Sequence, residues 1–413
     1  MSAIQGWDIG GAHLKLVRVE HGRVIAARQM PCPLWLGFDR LTAALEEALA
    51  VWPAADRHAV TMTAELADLF PDRATGVRRI LDALARRVPG ASLRVYANDG
   101  GFLSPAAASA SPERVASANW HAAARLAARR LGNGLLVDIG STTTDLVPLR
   151  RGQVAAEGVD DVGRLARGEL VYRGVVRTPV MAVASQVALE GARIGVMAEL
   201  FATAADVFRL TGELPADADQ QPTPDGRGKS PAESRARLAR MVGRDAASAP
   251  DAVWDGLARH IARRLLRDIA TAARAVAARA GLPPRAPVIG AGVGRFLAAA
   301  LAARLGRPYR DYESVIPAAD AAVAAMAASC APAAAVALLA AAPPMSARKP
   351  ATAAASSGAS REPTVSAERK PRKSGASGSS AGTSAAASEP ARPASSPRRR
   401  ARARKRPSSA GGR

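Results

Sequence analysis

The segment VDIGSTTTD, residues 137–145, repeats the pattern of WDIGGAHLK, residues 7–15, and both read Asp-Ile-Gly followed by small residues. Each also carries a charged residue seven positions after its Asp, Lys15 in one copy and Asp145 in the other. When the chain is compared with itself at an offset of 130, eight of the 19 positions from 8 to 26 are identical. Self-similarity at a fixed offset is typical of repeated architecture. We therefore predict two related structural units.

Each copy predicts three strands joined by tight turns. Alternating apolar residues and glycine punctuation mark the strands IQGWDI, HLKLVRVE and RVIAARQM, and the second copy follows the same plan. Helical patterns follow, and strands that alternate with helices favour an α/β fold. We predict two duplicated α/β lobes around a cleft, residues 1–131 and 132–342, followed by a tail over residues 343–413.

The predicted tail differs in composition from the rest of the chain. From Pro343 onward it has 16 Lys and Arg against 3 Asp and Glu, which accounts for +13 of the formal net charge of +21. Such a segment buries too little apolar surface to offset its ordering entropy, so we expect disorder. The run PRRRARARKR, residues 397–406, could contact nucleic acid or acidic membrane surfaces. A solvated tail without a specific partner is the alternative.

Cysteine content and hydropathy bound the class of protein. Two cysteines, Cys32 and Cys330, make neither a disulfide framework nor a paired metal motif. Residues 321–342 are uncharged and long enough for a membrane span, but they are mostly alanine and contain Pro332. We expect two ordinary helices there, no transmembrane segment, and a cytoplasmic protein.

The doubled motif suits a phosphate site. A tight turn presents successive backbone N–H groups, and glycine allows a ligand to approach them closely. We predict that the turns bind phosphate through Gly10, Gly11, Gly140, Ser141, Thr142 and Thr143. A carboxylate beside a phosphate makes sense if Mg²⁺ lies between them, so Asp8 and Asp138 are the predicted metal ligands. An ordinary hairpin containing Asp-x-Gly is the alternative.

A third glycine-rich turn, GAGVG at residues 290–294, follows a predicted strand and opens a helix. Phosphate or nucleotide often binds at such a junction, so Gly290, Gly292 and Gly294 are further phosphate candidates. Glycines that merely allow close helix packing would look the same.

These motifs resemble a known superfamily. DIGG, DIGSTTTD and GAGVG are similar to the motifs of the actin, sugar-kinase and heat-shock-chaperone ATPases, whose lobes are ribonuclease-H-like, and DIGSTTTD is most similar to the hydantoinase/oxoprolinase branch. Four further strings narrow the resemblance to the methanofuran-biosynthesis synthase family and its homologues in tetrahydromethanopterin-linked one-carbon metabolism. They are SANWHAAA (117–124), DVGRLARGELVYRGVVRTPV (161–180), ELFATAADVFRLTGELP (199–215) and DGRGKS…ARLARMVGRD (225–245).

The resemblance, which covers roughly residues 4 to 328, implies an alkyl/aryl transferase reaction. The family joins an (aminomethyl)furanmethanol diphosphate to γ-glutamyltyramine, forms an aryl ether and releases diphosphate. Mg²⁺, backbone donors and a lysine would neutralise the charge that develops on diphosphate. ATP is a possible ligand but is not required.

Several side chains are candidates for substrate contacts. Lys15 suits a phosphate, and Asp145 suits a base for the phenol, whose unperturbed pKa is about 10. A salt bridge between the lobes is the alternative for both. Arg177 could hold a carboxylate or phosphate, or fix a loop. His121 could face the cleft, and Arg227 and Lys229 could close over substrate in a polar segment or belong to a solvated loop.

Two other functions stay open. One is an ATP-dependent hydrolase of the hydantoinase/oxoprolinase kind, or another phosphotransferase of the same fold. The other is a nucleotide switch whose basic tail binds nucleic acid.

Overall fold

The computed structural model describes residues 3–89 and 92–342 of the 413-residue chain. The predicted tail, residues 343–413, and its basic run lie outside the described residues. The described part is an α/β protein with two central sheets, as the sequence predicts.

The first sheet has six strands in the order β3-β2-β1-β4-β5-β6. Its strands are β1 (Ile4–Ile9), β2 (His13–Glu20), β3 (Arg23–Pro31), β4 (Arg57–Met62), β5 (Leu93–Tyr96) and β6 (Phe102–Leu103). The helices of this part of the chain are α1 (Asp39–Val51), α2 (Arg73–Ala85), α3 (Pro105–Ala110) and α4 (Asn119–Leu131). Strand β1 pairs antiparallel with β2 on one side and parallel with β4 on the other.

The second sheet has the order β10-β8-β7-β13-β14, with β9 beside β8, and a separate hairpin pairs β11 with β12. Its strands are β7 (Gly134–Ile139), β8 (Thr144–Arg150), β9 (Gln153–Val154), β10 (Leu170–Val171), β13 (Val288–Ala291) and β14 (Tyr309–Asp311), and the separate hairpin is β11 (Gln186–Leu189) and β12 (Ala192–Gly195). The helices are α5 (Asp161–Ala166), α6 (Val180–Val183), α7 (Ala204–Thr211), α8 (Pro231–Arg240), α9 (Asp251–Arg279), α10 (Arg295–Leu305), α11 (Ala321–Ser329) and α12 (Ala331–Ala341).

The two hairpins that carry the repeat are built alike. In each, an antiparallel pair of strands has a parallel neighbour, β4 beside β1 and β13 beside β7. The next turns also match, because His21-Gly22 and Arg151-Gly152 both take left-handed conformations at both positions. Such pairs close two-residue hairpin loops whose twist fits the flanking strands. The predicted duplication is therefore confirmed in the backbone.

Helices α4 and α12 connect the two sheets. Helix α12 packs against β1, β2 and β4 of the first sheet, whereas α4 packs against β7, β8 and β9 of the second, and the two helices contact each other. One buried cluster accordingly contains apolar residues from both sheets and both helices. The division of the chain between residues 131 and 132 stays a prediction, since α12 follows it and packs on the first sheet.

The apolar segment near residue 330 is a bent pair of helices. In residues 3–89 and 92–342 no single helix is long and apolar enough to span a membrane; α11 and α12 pass such a test only as a pair, and they are bent by 108°. Most of α12 is buried inside the protein.

The contact between β1 and α12 depends on the absence of a side chain at Gly6. A Cβ at this position would lie 2.2 Å from the carbonyl oxygen of Ala333 and 2.8 Å from Cβ of Ala337. We expect Gly6→Ala to lower the free energy of unfolding by roughly 1–3 kcal/mol, because a helix backbone would have to move. Chemical denaturation measures this. Gly195→Ala is the matched control, since a Cβ there would lie within 4 Å of no described heavy atom beyond the two adjacent residues. Equal stability of both variants would contradict the account.

Candidate functional site

A cleft between the two duplicated hairpins has a cavity volume of about 340 Å³. It brings together most of the predicted site residues, which come from both sheets. These are Asp8, Gly10, Gly11, Lys15, Asp138, Gly140, Ser141, Thr142, Thr143, Asp145 and Arg177. We call this cavity, with these residues in its wall, the interlobe cleft.

The first hairpin presents a buried acid beside a base. Asp8 on β1 is directly opposite Lys15 on β2, and Nζ of Lys15 lies 3.7 Å from Oδ2 of Asp8. Burial raises the pKa of the Asp8 carboxyl, and Lys15 opposes that rise. Burial works against the charge of Lys15, but Asp8 and Asp138 outweigh it and raise the pKa of the lysine. Oδ1 of Asp8 is buried and has no hydrogen-bond partner among the described residues.

The second hairpin presents two acids at the equivalent positions. Asp138 on β7 is opposite Asp145 on β8, an arrangement that is unfavourable for like charges. Arg164 relieves it by an ion pair with Asp145, at 2.7 Å. Burial raises the pKa of Asp138 to about 7, with further contributions from Asp145 and Asp8, while Lys15 opposes the rise. Lys15 pairs with Asp8 of the first hairpin, and Asp145 pairs with Arg164 of the second half of the chain. The alternative prediction, a salt bridge between the two lobes, was therefore wrong.

The two turns fix their backbone in the same way. Gly10 N–H donates to the carbonyl of His13 at 3.0 Å, and Gly140 N–H donates to that of Thr143 at 2.8 Å. The amides of Gly10 and Gly140 are thus engaged within the turns rather than available to a phosphate. The sequence could not reveal this internal bond.

Two other amides of the turns, those of Ala12 and Thr142, belong to residues that line the cleft. The carbonyl of Gly11 accepts from Leu34 N–H, and that of Ser141 accepts from the N–H groups of Val176 and Arg177. In a trans peptide the next N–H points the opposite way from the carbonyl. The N–H groups of Ala12 and Thr142 therefore point away from these flanking loops, and both residues line the cleft.

The structure adds a histidine that sequence analysis missed. His13 lines the cleft and is buried, and its Nε2 has no hydrogen-bond partner in the part of the chain that the structure describes. Burial, then the charges of Lys15 and Arg177, lower its pKa to about 3, so the imidazole is neutral at neutral pH. The offset of 130 could have found it, because position 13 corresponds to Thr143. Further lining residues that were not singled out include Trp35, Thr63, Ser117, Asp161, Arg164 and Tyr172.

The third glycine-rich turn lies behind the cleft. Gly290, Gly292 and Gly294 are not among the lining residues. Gly292 has φ +80°, and a Cβ there would lie 2.4 Å from Oδ1 of Asp138. Gly294 N–H donates to the carbonyl of Ile139 at 2.8 Å. These glycines let the turn pack against the end of β7 that carries Asp138, and a phosphate role for them stays a prediction.

Three predicted substrate contacts lie away from the cleft lining. His121 bonds through Nδ1 to the hydroxyl of Tyr96 at 2.9 Å. Lys229 donates to the carbonyl of Asp219 at 2.7 Å, and Arg227 N–H donates to Asp225 at 3.1 Å. The polar segment with these last two residues is held in place, since Gln221 donates to the carbonyl of Ala12 at 2.8 Å. Their substrate roles stay predictions.

The carboxylates of the interlobe cleft suit a Mg²⁺ ion that is bound mainly by substrate phosphates. No group of three or more His, Cys, Asp or Glu side chains among the described residues is arranged to hold a metal ion. Mg²⁺, however, is commonly bound by one or two carboxylates together with water and substrate phosphates. Asp8, with its unpartnered Oδ1, and Asp138 supply two such carboxylates in one cleft.

Comparisons with known proteins agree with this architecture. The sequence profile of the family described as Hydantoinase/oxoprolinase matches residues 56–336. A curated relative from Methanocaldococcus jannaschii is named (4-{4-[2-(gamma-L-glutamylamino)ethyl]phenoxymethyl}furan-2-yl)methanamine synthase. It is 33% identical over 241 residues, which cover 58% of this chain and 71% of that protein. A relative of the same name from Methanococcus vannielii is 35% identical over 109 residues, covering 26% of this chain and 47% of that protein.

A solved structure supports the fold alone. The nucleotide-free structure of acetone carboxylase, an enzyme of ATP-dependent acetone carboxylation, matches with a TM-score of 0.50. The match covers 80% of this chain and 70% of that chain at 13% sequence identity.

His121 predicts a pH dependence of stability. Burial and then the charge of Arg125 lower its pKa to about 4, below the value of about 6.5 in an unfolded chain. The unfolded chain therefore binds the proton more tightly than the folded protein does. The stability that the neutral imidazole of His121 contributes to the fold is complete above about pH 6.5 and is lost as the pH falls toward about 4. Allowing for partial exposure, the loss is roughly 1–2 kcal/mol. Urea denaturation between these pH values measures the free energy of unfolding, and we expect it to fall less in His121→Gln than in the wild type. The same pH dependence in both proteins would contradict this role of His121.

Proposed function

Because the chain belongs to the hydantoinase/oxoprolinase family, we propose that its interlobe cleft performs the reaction of its synthase relatives in methanofuran biosynthesis. The substrates would be (aminomethyl)furanmethanol diphosphate and γ-glutamyltyramine, and the products an aryl ether and diphosphate. Two relatives carry a synthase name whose product has a phenoxymethyl-furan linkage, which supports an enzyme of cofactor biosynthesis. The observation that carries the proposal is the convergence of Asp8, Lys15 and Asp138 in one cleft.

The leaving diphosphate is the group that the cleft suits best. Lys15 contributes a positive charge, and the N–H groups of Ala12 and Thr142, two residues that line the same cavity, would donate to the phosphate oxygens. Such preorganised donors are most effective where negative charge develops, as it does on diphosphate when the furfuryl carbon–oxygen bond breaks. Asp8 and Asp138 would hold Mg²⁺, which when bound neutralises phosphate charge.

The acceptor phenol must lose a proton as its oxygen bonds to the furfuryl carbon. We assign this proton to Asp145, which lies in the cleft and forms an ion pair with Arg164. His13, with a neutral imidazole and an unpartnered Nε2, is the alternative acceptor. Diphosphate takes the electron pair of the bond that breaks, so neither ATP nor a redox partner is needed.

The second candidate is an ATP-dependent hydrolase of the hydantoinase/oxoprolinase kind. The family match over residues 56–336 favours it, because that family is described as Hydantoinase/oxoprolinase. The two functions differ in what they release. The synthase releases diphosphate when both precursors are present without ATP, whereas the hydrolase releases ADP only with ATP and its substrate.

The deciding experiment assays the purified full chain with both precursors and Mg²⁺, with and without ATP. We expect ether and diphosphate to form in equal amounts in the absence of ATP. Mass spectrometry measures the ether, and a coupled enzymatic assay measures the diphosphate. Release of ADP with no ether would favour the hydrolase. Absence of ether and diphosphate under all conditions would remove the synthase.

Asp138→Asn tests the assigned metal ligand. The amide keeps the shape but loses the charge, so we expect kcat to fall roughly 100-fold or more, with a small change in thermal unfolding. Asp82→Asn, an equivalent change on the exposed face of α2, is the control and should keep wild-type rates. Wild-type turnover by Asp138→Asn would remove the metal assignment.

A further inference from the structure

Exposed aromatic side chains are rare in this protein, and they occur together. The chain has 5 Trp, 4 Tyr and 6 Phe, and all of them lie in the described residues. Only Trp35 and Tyr172 are exposed, at 42% and 50% of their surface. Both line the interlobe cleft. Single exposed apolar residues need no explanation, but two that border one cavity do.

The two aromatic residues belong to opposite sides of the cleft. Trp35 lies in a short 3-10 helix, Leu34–Leu36, between β3 and α1, whereas Tyr172 directly follows β10. Leu66, which is 47% exposed, adds apolar surface from the segment after β4. Asp8 and Asp138 are buried and Lys15 is half-buried, so these three residues form the polar floor of the cleft. The exposed apolar side chains, which come from both halves of the protein, border its opening.

Arg177 holds the Trp35 ring from the other half. Its Cζ lies 4.6 Å from the centroid of the indole ring, a cation–π distance. The backbone of Arg177 is itself fixed, because its N–H donates to the carbonyl of Ser141 at 2.8 Å. The guanidinium that the sequence suggested for a substrate anion thus has an aromatic partner, and it positions Trp35 relative to the phosphate-binding turn.

We propose that Trp35 and Tyr172 form the subsite for the aromatic ring of the acceptor, a phenol with a long polar arm. This inference rests on the proposed function. The diphosphate of the furan substrate is assigned to the polar floor, so the furan ring lies next to it. The phenol oxygen must approach the furfuryl carbon from above, while its arm leaves through the opening. Its ring is then at the level of Trp35 and Tyr172, where aromatic pairs contribute beyond the area they bury.

Calorimetric binding of γ-glutamyltyramine, in the presence of Mg²⁺ and inorganic diphosphate, tests the subsite without requiring turnover. We expect Trp35→Ala and Tyr172→Ala each to weaken binding about tenfold, the size of one aromatic contact. Trp35→Phe and Tyr172→Phe should keep most of the affinity for γ-glutamyltyramine, because each retains an aromatic ring. Binding of Mg²⁺ with diphosphate alone should change less than about twofold.

Leu36→Ala is the matched control. Leu36 is adjacent to Trp35 and 58% exposed, but it does not line the cleft. In the turnover assay, the two alanine variants should raise KM for the phenol with kcat nearly unchanged. Weaker binding of γ-glutamyltyramine by Trp35→Ala and Tyr172→Ala alone supports the subsite even if no ether forms. Failure of the subsite can therefore be distinguished from failure of the proposed reaction. Three results would overturn the subsite. The wild type could fail to bind γ-glutamyltyramine, both alanine variants could bind it as tightly as the wild type, or Leu36→Ala could weaken binding as much as they do.

Discussion

The burial of several carboxylates in one cleft is the constraint on which the site depends. Asp8 and Asp138 come from different sheets, and burial raises the pKa of both; Asp145 adds to the rise at both carboxyls, and Asp8 adds to it at Asp138. Among the described residues, Lys15 is the cation that opposes the rise at both, and Oδ1 of Asp8 has no hydrogen-bond partner. Burying uncompensated charge is costly, so the arrangement calls for an additional cation when both groups are ionised. A magnesium-bound diphosphate would supply that cation and fill the space between the turns.

The duplicated hairpins have the same backbone but different charges. Position 15 is a lysine in the first copy and its counterpart, position 145, is an aspartate in the second. This difference makes the cleft asymmetric: the first hairpin contributes a lysine that pairs with Asp8, and the second contributes a carboxylate that pairs with Arg164. Above this floor, Trp35 and Tyr172 provide apolar surface for a ring. A cleft with a polar floor and an aromatic opening suits two substrates of different polarity.

Sequence reasoning located the hairpins because their signals are local. Alternation of apolar residues and paired turn glycines is visible within a few positions, and the offset of 130 relates the two copies. The packing of α12 on Gly6 was not visible, because it joins residues more than 300 positions apart. His13 was missed although the offset of 130 pairs it with Thr143, a predicted site residue, and Trp35 and Tyr172 were missed because exposure is a property of the folded chain. Glycines 290, 292 and 294 were noticed, but their contact with the strand that carries Asp138 required the structure.

Anomalous diffraction from crystals grown with Mn²⁺, as a substitute for Mg²⁺, and inorganic diphosphate would test the central claim most directly. The account predicts one manganese peak between the carboxylates of Asp8 and Asp138, with diphosphate oxygens at the amides of Ala12 and Thr142. A peak at another place, or diphosphate bound to only one of the two turns, would contradict it.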